Sequence, residues 1–72
     1  MRVLLRNIQT GFYYCGGREW TSDRKHALDL ERTEDALKLA AQFRLQAAEV
    51  VLAFSDPNDD LTLPCGGPWW QN

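Results

Sequence analysis

The stretch "YYCGG", residues 13–17, is echoed near the other end of the chain as "PCGGPWW", residues 64–70, so each of the two cysteines stands directly before a Gly-Gly pair. Thiols can ligate a metal, pair as a disulfide or act as nucleophiles, and each use demands partners at a particular spacing. A structural zinc site takes about four Cys or His ligands. Here Cys15, Cys65 and His26 are the whole supply, with no C-x2-C pair, so zinc would have to be shared across a dimer. A Cys15–Cys65 disulfide would close a loop of about fifty residues and add about 4 kcal/mol on the chain-entropy model. Such a bond does not persist where thiols are kept reduced. The reading that fits the residues is two separate turns, with Cys15 on a half-buried strand and Cys65 in a tail.

Other patterns fall short in similar ways. "CGGPW" is superficially similar to the C-G-x-C-W signature of papain-like nucleophiles, but the second cysteine is missing and the lone histidine lies upstream. Asp56-x-Asn58-x-Asp60 matches the opening of a calcium loop. The sixth position, however, is Leu61 where Gly makes the bend, and the twelfth is Gly67 where a bidentate Glu should stand. Asp and Asn favour turns on their own account, so half a motif reads as a turn. No phosphate loop, dinucleotide fingerprint, HExxH or nucleophile elbow occurs. We therefore expect no catalytic residue, no cofactor and no metal.

Aromatic and basic side chains form the third constellation. Phe12, Tyr13, Tyr14 and Trp20 lie near Arg6, Arg18 and Arg24. Aromatics on an open sheet face with arginines around them can stack single-stranded bases. In so small a domain the same aromatics also serve as core, and the formal net charge of −2 with a pI near 5.1 argues against a nucleic-acid partner. Charge is uneven along the chain. Residues 1–32 carry six basic groups against four acids, and residues 33–72 carry two against six, so a +2 half faces a −4 half.

These groups must be held by a single domain. At 72 residues there is no room for a second, and a chain of this length buries only about 60% of its unfolded surface. Hydrophobic content of 44% with 25% charged residues is ordinary for a globular fold. No apolar run approaches a membrane span, and "MRVLLRNI" lacks the apolar core of a signal peptide, so the expected location is cytoplasmic.

Along the chain, "VLLRNI" (3–8) and "FYYC" (12–15) read as a β-hairpin around Gly11, and "EWT" adds a short third strand after Gly16-Gly17. "SDRKHA" reads as a turn or one helical turn begun by Ser22 or Asp23. Thr33 is a good N-cap, with Glu34 and Asp35 in the first turn. Ala36, Leu39, Ala40, Phe43 and Ala47 recur at helical spacing, which predicts a helix over 33–45. "EVVLAF" is apolar on both faces and reads as a central strand. Asp56-Pro57-Asn58-Asp59 fits a type I turn, and "LTLP" returns as an edge strand ended by Pro64. The predicted architecture is α+β: one helix on one face of a small, mostly antiparallel sheet in the order β-β-(β)-α-β-β. It spans residues 1–64, with 65–72 a flexible tail ordered only where Trp69 or Trp70 finds a groove.

Residues 10–40 resemble a pattern found in short uncharacterised bacterial and phage-borne proteins. In it a tyrosine-rich hairpin leads to W-T-x5-A, an apolar-acidic-apolar triplet and a capped helix with A-x3-A spacing. The matching positions are Trp20-Thr21, Ala27, Leu28-Asp29-Leu30, Thr33, Ala36 and Ala40, followed by Glu49-Val50-Val51-Leu52, Phe54 and Asp56-Pro57. The resemblance spans most of residues 2–63 and implies the α+β fold without an activity or ligand.

With the helix on one sheet face, the other face is expected to be solvent-exposed, sealed by the tail or buried in a partner. The functional expectation is a non-enzymatic protein-interaction module, homodimerisation included, that uses this open face or an edge strand. The candidate surface is Arg6, Tyr13, Arg18, Trp20, Trp69 and Trp70. A single-strand nucleic-acid binder built on Tyr13, Trp20, Arg6 and Arg18 is the alternative.

Overall fold

A computed structural model describes residues 1–43 and 47–64. The expected tail, Cys65, Trp69 and Trp70 lie outside the described residues. Five strands, β1 (Arg2–Asn7), β2 (Tyr13–Gly16), β3 (Glu19–Thr21), β4 (Ala48–Ala53) and β5 (Leu61–Pro64), form one antiparallel sheet in the order β3-β2-β1-β4-β5. One helix, α1 (Thr33–Gln42), follows β3 in the chain. This is the α+β arrangement that the apolar periodicities predict.

The β2–β3 hairpin turns through Gly17 and Arg18, both with positive φ (58° and 63°). Two successive left-handed residues make the type I′ loop, whose twist matches that of the flanking strands. A bulge between Tyr14 and Gly16 shifts the register just before it. Between β1 and β2 the turn is held by Asn7, whose backbone N–H donates to the Phe12 carbonyl (2.8 Å) and whose Oδ1 accepts from the Gln9 N–H (2.9 Å).

Helix α1 packs its small residues onto the sheet. Ala36 and Ala40 are buried against Val3, Leu5, Tyr14, Ala48 and Val50, with Leu37, Leu39 and Phe43 partly buried around them. The N-terminus differs from the expectation. The N-cap position is Arg32, with no side-chain cap bond, and Thr33 is already helical. The described helix closes at Phe43, whose N–H donates to the Leu39 carbonyl, and Ala47 stands just before β4.

The second sheet face is not open as expected. Leu4, Val51 and Ala53 are buried on it, covered by Ala27 and flanked by Tyr13. The chain covers its own sheet. A single 3₁₀ turn, Arg24–His26, begun by the Asp23 carboxylate accepting from the Lys25 N–H, carries Ala27 over the strands. Residues 28–30 then wedge between β1 and β2: the Leu28 N–H donates to the Tyr14 carbonyl (3.0 Å) and the Leu30 N–H to that of Val3 (2.7 Å). Asp29 completes the wedge, its Oδ1 accepting from the N–H groups of both Val3 and Glu31 (2.9 Å each). The apolar-acidic-apolar triplet is thus a structural device.

Two arginines fasten this layer. Arg24 binds Asp60 bidentately (Nε to Oδ2 and Nη2 to Oδ1, both 2.8 Å) and donates to the Phe54 carbonyl, while Asp60 Oδ1 also accepts from the Phe54 N–H. Arg2 donates to the carbonyls of Arg24 and Ala27.

Candidate functional site

The side chains singled out by sequence fall into two groups on opposite faces. Tyr13 lies opposite Thr21, and Tyr14 opposite Trp20. Directly opposed residues of an antiparallel pair share a face. Trp20 therefore stands with Tyr14 on the helix side, and Tyr13 on the other. Tyr13 is accompanied by Arg6, whose guanidinium lies 5.9 Å from the ring centroid and forms an ion pair with Glu49 at 2.8 Å, directly across the β1–β4 ladder. Arg6 is already neutralised.

On the helix side Tyr14, Trp20 and Phe43 form a three-ring cluster, with centroids 5.5–6.2 Å apart and tilted or edge-on geometry. Such contacts suit a core better than a flat stacking platform. Arg18 and Trp20 are brought together: with Asn7, Gln42 and Phe43 they line an open cleft of about 450 Å³ at the end of α1. The structure therefore pairs Arg6 with Tyr13 and Arg18 with Trp20, and does not join the pairs.

The calcium-like triplet does not converge on a common point. Asp56 caps the turn Pro57–Asp59 through the Asn58 N–H, and the Asp60 carboxylate is taken up by Arg24 and Phe54. Among the described residues no group of three His, Cys, Asp or Glu side chains could hold a metal ion. Cys15 is half-buried in β2, and its pairing with Cys65 lies outside the described residues. His26 sits on the surface beside Asp23, Nδ1 to Oδ2 2.7 Å. Among the described residues no helix is long and apolar enough to cross a membrane.

The feature that sequence reasoning missed is at the far edge. Leu61 and Leu63 lie opposite Leu52 and Val50, so both project from the same face as the core. The helix covers β1 and β4 but stops short of β5: Val50 is fully buried, whereas Leu61 and Leu63 are 56% and 40% exposed. Phe54, two residues beyond Leu52, is also exposed. Apolar side chains thus continue the core face outward, past the helix, into solvent.

The backbone edge of β5 is poorly equipped for pairing. Val3 directs both its N–H and its carbonyl away from β4, toward Asp29 and Leu30. Alternation along an antiparallel ladder then turns the backbone groups of Leu52, opposite Val3, toward β5, and those of Leu61 and Leu63 toward β4. Thr62 and Pro64 face outward, and proline has no N–H to give. Within β5 the free edge offers the one N–H of Thr62. The sequence signal was present in "LTLP": its leucines alternate, and its proline marks an edge.

Electrostatics around this edge are acidic. Asp56 and Asp59 are exposed on the loop entering β5, and neither forms an ion pair among the described residues. Three carboxyls are held below their ordinary value: Asp29 by the backbone N–H groups of Val3 and Glu31, Asp60 chiefly by hydrogen bonding to Arg24, and Asp23 chiefly by the Lys25 N–H.

No protein-family model, no curated protein and no solved structure matches this chain.

Proposed function

We propose that the protein is a non-enzymatic interaction module whose contact surface is the apolar column Leu61, Leu63 and Phe54, and whose partner is a protein segment with apolar side chains flanked by lysine or arginine. The observation that supports this is the overhang of β5. Large apolar side chains prolong the core face where the helix does not reach, and adjoining exposed apolar residues are a mark of contact surfaces. The basic flank answers Asp56 and Asp59. A side-chain contact fits better than strand addition, which draws its affinity from main-chain hydrogen bonds that Pro64 curtails.

Covering what remains exposed of each leucine is worth about 1 kcal/mol, so affinity depends on how much more surface the partner adds. The test is capture from nuclease-treated lysate of the native host with the parent protein and with L61K/L63K, each at low and high salt. The reading predicts a protein retained by the parent, lost with the double variant and weakened by salt. A protein retained equally by both would contradict it. Light scattering of the purified chain distinguishes a second copy as the occupant.

A further inference from the structure

We infer that the cleft between the β2–β3 turn and the end of α1 binds a small organic anion, its charge a carboxylate or a phosphate. This site lies at the opposite end of the sheet from β5 and is independent of the interaction reading. Its lining is richer in donors than in acceptors. Asn7, a lining residue, accepts at Oδ1 from the Gln9 N–H, and its amide NH₂ group donates no hydrogen bond among the described residues. Arg18 adds a guanidinium and Trp20 an indole N–H, groups that only donate. The side-chain acceptors in the lining are the Gln42 amide oxygen and the remaining lone pair of Asn7 Oδ1. A lining richer in donors than in acceptors, with one cation, favours an anion.

Arg18 also differs from the other described arginines. Arg2, Arg6, Arg24 and Arg32 each hydrogen-bond or ion-pair with the protein, whereas Arg18 does neither among the described residues. Its backbone is left-handed, φ 63°, at a turn position that glycine or asparagine would occupy without strain. An arginine at the lip of a cleft, with no partner among the described residues, is available to a ligand. Trp20 and Phe43, in edge-on contact with each other, supply the apolar part of the lining.

The experiment is an NMR titration of the ¹⁵N-labelled full chain, following the side-chain amides of Asn7 and Gln42 and the indole N–H of Trp20. The probes are benzoate and adenosine 5′-monophosphate, with benzamide and adenosine as their neutral counterparts. The inference predicts saturable shifts at all three groups with at least one anionic probe, and binding at least tenfold weaker with the neutral counterpart and with R18G. Glycine suits the turn, so R18G keeps the fold. Response to benzoate alone assigns a carboxylate, and to the nucleotide alone a phosphate. Absence of shifts with both, or equal binding by R18G, would overturn the site.

Discussion

Asp29 illustrates how single residues determine this fold. One carboxylate oxygen satisfies two backbone N–H groups, and that of Val3 belongs to a buried strand residue. Asp29→Ala leaves that donor without its acceptor, and we expect a loss of about 2 kcal/mol in chemical denaturation. Glu31, next to it, has φ 68°. A non-glycine residue there carries strain, so Glu31→Gly is expected to raise stability by up to about 1 kcal/mol in the same assay. Asp29, Asp60 and Asp23 share a pH signature. Each binds its proton less readily in the folded chain than at the ordinary value of 3.8. Their contribution is therefore complete above that value and lost as acid protonates the folded carboxyls. The urea midpoint should be flat above about pH 5 and fall below about pH 4, and Asp60→Asn should flatten that fall.

At the scale of elements, the helix and strands were legible because their apolar spacing is strong. Ala36 and Ala40 at i and i+4, and the double-sided run Val50–Ala53, leave few alternatives. What was illegible depends on long-range partners. Thr33 looks like a cap, yet its neighbour Arg32 occupies that position, because the chain enters the helix from the left-handed Glu31. "ALDL" carries no period, because it acts as a wedge held by Val3 and Tyr14 rather than as a strand in a ladder. Two tests belong here. Arg32→Ser supplies the missing cap and should add about 1 kcal/mol. Ala36→Leu forces bulk into a fully buried position where the helix approaches the sheet and should cost about 1–3 kcal/mol, both read by thermal or urea unfolding.

For the whole molecule, one helix and a self-folded loop divide the task of covering five strands. The loop seals the face expected to be open, and the helix seals the centre of the other. The uncovered remainder is displaced to β5. That outcome was only half legible: the edge character of "LTLP" was read from Pro64, but the reach of the helix was not, since it depends on where α1 lies over the sheet. The candidate arginines and aromatics were divided for a similar reason. Strand parity and register, rather than proximity in sequence, decide that Tyr13 joins Arg6 while Trp20 joins Arg18.

The central claim is that the Leu61–Leu63 column is a contact surface, and site-specific photo-cross-linking in the native host tests it most directly. A photoreactive residue is placed at Leu63 and, as a control on the exposed β1–β2 turn, at Gln9. The account predicts a discrete protein adduct from position 63 that is absent from position 9 and is lost when Leu61→Lys is added. Equal labelling from both positions, or none from position 63, would contradict it.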